Sequence, residues 1–185
     1  SIMDNPDEIK QDWLLSLVCA DYYLFRARQR NDNTRMEDDL ASSQGFLAQS
    51  ALLKSELVFK DYYCNIKAML EFLQAGCATN DEEKNHHFAE ALDYATTAVE
   101  KDNHNFAYLD TLARIEARIA ERNNDIRLLQ KAADHIRQAR WRAFFLRSSM
   151  ANEVRLSIED MAETIQRRIE SMDERNRMSR QRIYP

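Results

Sequence analysis

The sequence is poor in the residues that interrupt helices. Among 185 residues there are two glycines and two prolines. Sheets need turn residues in number, and phosphate-cradling loops need several glycines within a short span. Gly45 and Gly76 cannot supply a Walker loop or a dinucleotide fingerprint anywhere in the chain. The three cysteines, Cys19, Cys64 and Cys77, are odd in number and form no CxxC pair, which fits buried free thiols in a reducing compartment. No apolar run approaches the ~18 residues of a membrane helix, and no signal-peptide pattern opens the chain. A cytoplasmic location without membrane partners is therefore expected. The opening "SIM" reads as a tag remnant before Met3, or as the cut edge of a larger protein.

What is present is amphipathic helix. Hydrophobic residues make up 44% and charged residues 31%, and the length suits a single domain able to bury a core without staples. The net charge of −5 is uneven. Residues 1–136 carry 15 Lys/Arg against 24 Asp/Glu, whereas residues 137–185 carry 11 Arg, no Lys and 7 acids. A solvated terminal helix accounts for that basic pole more simply than a nucleic-acid site does.

Along the chain, Asn5, Pro6, Asp7 and Glu8 form a helix start. From Trp13 to Phe25 the pattern is apolar nearly all round, so this helix is expected to lie between others. After a break near Asn31–Asn33, residues 35–78 read as one long helix or as two joined by a bend near Ser42–Gly45. Gly76 marks a stop, with Thr79 or Asn80 as the next cap. Helices follow over roughly 81–101, 105–122, 124–146 and 149–174, separated by short polar breaks that make consecutive helices antiparallel neighbours.

Ala91 and Ala98 stand two turns apart with Ala95 between them, and Ala132 and Ala139 repeat that spacing around Ile136. Small residues at this interval let a neighbouring helix approach closely. The stretch "FAEALDYATTAVEKDNHN" followed by "FAYLDTLARIEA" resembles a tetratricopeptide repeat running into the next one. In that pattern Ala91 and Ala98 take the small second-helix positions, and Leu109, Leu112 and Ala113 take the large, large and small positions of the following first helix. Asn103 replaces the usual proline. The Ala113-to-Ala132 interval exceeds the family spacing by about seven residues, or two helical turns.

The resemblance covers residues 62–146. It implies an all-α fold of stacked antiparallel hairpins, an αα-solenoid, with a long N-terminal helical pair over 6–79. Repeat-like hairpins would span 80–146, a capping helix 147–174 and an Arg-rich tail 175–185. A non-repeating helical bundle is the alternative. In such repeats the first helix of each hairpin lines a partner groove. Here that face would present Ala107, Asp110, Arg114, Ala117 and Arg118, and Asp110, Arg114 and Arg118 are the candidate partner-binding residues. Asp110 and Arg114 stand where the family's chaperone-tail clamp has Lys and Asn, which argues against that mode; a solvated face is the plainer reading.

Two further constellations are weak. Glu83-x-x-His86 in "DEEKNHHF" is half of a di-iron carboxylate motif, and neither His104 nor His135 supplies the other half. First-turn acids are also ordinary dipole chemistry. No serine sits in a nucleophile elbow, and no Cys is visibly placed with a His and an orienting acid. Neither an enzyme, a metal nor a cofactor is expected. The expected function is a protein or peptide interaction module, or the sensor or scaffold part of a larger parent chain, as in STAND-type NTPases. The alternative is nucleic-acid association through Arg167, Arg168, Arg175, Arg177, Arg180 and Arg182, where Tyr184 is the only aromatic.

Overall fold

A computed structural model describes residues 12–30, 32–144 and 151–183. Within these, the chain is helical and contains no strand. The helices are α1 (Trp13–Arg28), α2 (Asn33–Leu53), α3 (Asp61–Cys77), α4 (Asp81–Lys101), α5 (Phe106–Asn123), α6 (Ile126–Ala143) and α7 (Ala151–Ile183), with a 3-10 turn at Ser55–Phe59. They fall into two compact units, Ser1–Lys101 and Asp102–Pro185. The helix start at Asn5–Glu8, the break at Arg147–Ser149 and Tyr184 lie outside the described residues.

Local chemistry sets most boundaries. Asp12, Asp32, Asn105 and Asp125 each cap a helix by accepting from backbone N–H groups of its first turn. Asn80 and Glu83 cap α4 reciprocally, with Glu83 N–H donating to Asn80 Oδ1 at 2.8 Å and Asn80 Nδ2 donating to Glu83 Oε2 at 3.2 Å. Asn124 ends α5 at φ 53°, a left-handed position that Asn tolerates, and Asp125 N–H closes the turn on Ala120 O.

Residues 35–78 form two helices, and the break falls at Lys54–Lys60. Helix α2 passes through Ser42–Gly45 without interruption, and Gly76 lies inside α3, whose last residue is Cys77. At the other end α7 continues to Ile183, nine residues beyond the expected stop at 174. Its Glu, Arg and Met content favours helix, and no proline intervenes.

In the N-terminal unit, α1 pairs with α2 and α3 with α4, while α3 also touches α1 and α2. Leu17, Leu24, Leu40, Leu47, Ile66 and Leu70 form its core. Polar links cross the helices: buried Ser43 Oγ donates to Ala20 O at 2.9 Å, and at the surface Tyr62 Oη donates to Asp21 Oδ2 at 2.9 Å. Ala91, Ala95 and Ala98 are fully buried, as the α3–α4 pairing requires. In the C-terminal unit α5 pairs with α6, and α7 packs chiefly on α6. Ala132 and Ala139 are fully buried there, and Ile158, Ile165 and Met172 form the inward stripe of α7.

Candidate functional site

The face of α5 singled out by sequence is only partly open. Arg114 Nε donates to Asp110 Oδ2 at 2.9 Å, one turn away, and Arg114 Nη2 donates to Ser157 Oγ of α7 at 3.1 Å. Both side chains of the Asp110–Arg114 pair are only 19% exposed, whereas Arg118 is 63% exposed and pairs with Glu121 at 3.4 Å. Glu121 also holds Arg168 of α7. Ala117, expected on this face, is completely buried, along with Ala113 and Ala120. Helix α7 thus touches the ridge at Arg114 and again at Glu121, and leaves the Arg118 side chain between them largely to solvent. Asp110 Oδ1 is buried without a hydrogen-bond partner.

Sequence reasoning missed a device that occurs in both units. Glu116 of α5 is fully buried; its Oε2 accepts from His135 Nδ1 at 2.7 Å. Its Oε1 has no aligned donor but lies 3.0 Å from the Lys131 ammonium. Glu71 of α3 is 4% exposed and is held by His87 Nδ1 of α4 at 2.6 Å and by Lys67, one turn earlier on its own helix. A third buried carboxylate, Asp39 of α2, takes Arg26 Nη2 at 3.0 Å and Arg30 Nε at 3.1 Å, both from α1. Each hairpin is therefore clasped by one carboxylate and two basic partners. Burial pushes the Glu71 carboxyl up, but hydrogen bonds from Lys67 and His87 outweigh it and hold the group below its ordinary 4.5.

The only prior signal for these clasps was the pair of histidines in "DEEKNHHF". There His87 turns inward to Glu71, while Glu83 serves as a cap partner. No group of three His, Cys, Asp or Glu among the described residues is placed to hold a metal ion. Cys19 and Cys64 are buried and Cys77 is half-buried, and burial pushes all three thiols up.

At the C-terminal end of α6, Arg137, Arg140 and Arg142 surround Trp141, which is 65% exposed, beside Phe144. Arg137 pairs with Asp134 at 2.9 Å and Arg140 with Glu159 at 3.4 Å. On α7, Arg167 pairs with Glu163, and Arg175 Nε donates to Ser171 O at 3.3 Å. Arg177 is exposed. The side chains of Arg180 and Arg182 lie outside the description.

The chain matches no protein-family model, no curated protein and no solved structure. No helix of the described residues is long and apolar enough to cross a membrane.

Proposed function

We propose that the chain is a non-enzymatic interaction module, a scaffold or sensor part of tetratricopeptide-like type. It holds a protein or peptide, either a separate partner or another domain of a larger parent protein. The observation that carries this reading is the repetition of one building plan. In both units a hairpin pairs a first helix with a second whose crossing is made of buried alanines, and a buried Glu–His contact joins the two. Within each unit such a hairpin holds its outer helix faces in place. We assign partner binding to the ridge of Asp110, Arg114 and Arg118, a run of mixed charge whose open member is Arg118.

Arg118→Glu is the test, because Arg118 is 63% exposed; an unchanged melting temperature checks that the fold is kept. Affinity capture from cell extract, quantified by mass spectrometry against wild type, should lose a defined set of proteins with this variant and keep it with Arg177→Gln. Identical recoveries for both variants would remove the ridge from the function.

A second reading, nucleic-acid association, is favoured by Trp141 standing exposed among Arg137, Arg140 and Arg142, an arrangement suited to stacking beside phosphates. It predicts binding to random duplex or single strand that falls steeply with salt, and a shallower slope after Arg140→Gln and Arg142→Gln. Tail-dependent binding that persists near ~0.15 M salt would displace the protein-partner reading.

A further inference from the structure

The apolar pattern places helix α1 between others, yet one face of it is bare. Leu14, Val18, Tyr22 and Phe25 are 52%, 50%, 44% and 60% exposed, while Leu17, Ala20, Leu24 and Ala27 face the core. At roughly 100° per residue the four exposed side chains fall within one narrow stripe that runs the length of the helix. Four large apolar groups left in water contribute nothing to the folding of this unit, and a contiguous stripe of them marks an interaction surface.

The charges beside the stripe identify what fits it. Within the bare stripe, Val18, Tyr22 and Phe25 follow the 4-3 spacing of a coiled-coil seam, which the half-buried Leu15 extends by three residues at its start while Leu14 lies on its edge. Asp21 then lies on one edge of the seam and Arg26 on the other, five residues later. In a parallel pair of identical helices those two positions meet across the interface, twice by symmetry. In an antiparallel pair centred on the stripe, like edges meet and Asp21 faces its own copy. Both groups have capacity to spare. Asp21 accepts one bond, from Tyr62, at Oδ2. Arg26 uses Nη2 for Asp39 and lies over the Tyr22 and Tyr23 rings beside the seam, yet has donors beyond Nη2 and is 35% exposed.

We propose that the bare face of α1 is the seam of a parallel homodimer, with Val18 facing Val18 and Asp21 paired to Arg26 of the other copy at both edges. A single helix face buries less than the ~800 Å² per partner of a standard interface, which places the pair among weak, reversible associations.

Sedimentation of the full chain across about 1–100 μM should show a concentration-dependent dimer. Val18→Glu should weaken it by at least about tenfold, since it puts two carboxylates against each other in the seam. Asp21→Lys should weaken it less. Under a mild oxidant Val18→Cys in a Cys77→Ser background should give a cross-linked dimer where Cys77→Ser alone, whose Cys19 and Cys64 are buried, gives none. A monomer throughout the range would overturn the proposal, as would a dimer indifferent to Val18→Glu. Cross-linking of a Val18→Cys/Tyr22→Cys double variant without cross-linking of Val18→Cys alone would replace the parallel arrangement with an antiparallel one.

Discussion

The Glu71 and Glu116 clasps use the same residue types and distribute them differently. Glu71 takes its lysine from its own helix, one turn away, so only His87 crosses from α4. Glu116 takes both lysine and histidine from α6, and it is the more deeply buried of the two. Its Lys131 partner is 59% exposed, against 20% for Lys67. One clasp is therefore half prepared inside a single helix, and the other exists only once α5 and α6 have packed. A buried carboxylate left without its partners is costly, whereas the intact cluster contributes little net stability over an apolar one. The clasps are better understood as fixing which helix faces pair than as the source of stability.

The largest expected effect is on the C-terminal unit. His135→Ala leaves Glu116 at zero exposure with one loosely held lysine and should cost about 3–5 kcal/mol in denaturant unfolding. His87→Ala should cost about 1–3 kcal/mol, because Lys67 still neutralises Glu71 within α3. Equal losses, or the reverse order, would break the contrast between the two clasps.

Overpacking comes next. Ala98→Leu in the N-terminal unit and Ala132→Leu in the C-terminal unit should each lower stability by about 1–3 kcal/mol, since both positions have zero exposure. An unchanged melting temperature in both variants would contradict close helix approach at these crossings.

Acid sharpens the comparison further. The folded Glu71 carboxyl titrates below its ordinary 4.5, so its contribution is fully present above that value. It is lost as pH falls from there through the depressed folded value, as the unfolded chain takes up the proton first. The N-terminal unit should weaken over that window, and Glu71→Gln should flatten the dependence, measured by urea unfolding from pH 6 to 3. A pH dependence unaltered by Glu71→Gln would show that the clasp is not the linked group.

The smallest change is a gain. Gly45 is exposed in the interior of α2, and a Cβ there meets nothing within 4 Å. Gly45→Ala should stabilise the N-terminal unit by about 0.5–1 kcal/mol and leave both clasps untouched. A loss instead would mean that α2 needs the glycine for a bend it does not show.

Much of this architecture is written in local patterns. The scarcity of glycine and proline and the helical spacing of apolar residues dictate a helical chain. Asp and Asn at the breaks fix where α5 and α6 begin, and the alanines at 91, 95, 98, 132 and 139 mark the faces that meet. These are short-range properties, set by backbone hydrogen bonding and side-chain size within a few turns. The tertiary structure alone decided the rest. No glycine or proline announces the break at Lys54–Lys60, and Lys60 makes no side-chain cap bond to α3; Lys54 Nζ settles there 4.4 Å from the Trp13 ring centroid. The bare stripe of α1 was invisible because an apolar residue carries no mark of what covers it. Glu71 with His87, and Glu116 with His135, are 16 and 19 residues apart. Which charged residue a buried carboxylate will meet across two helices depends on their rotation and offset, and only packing sets those.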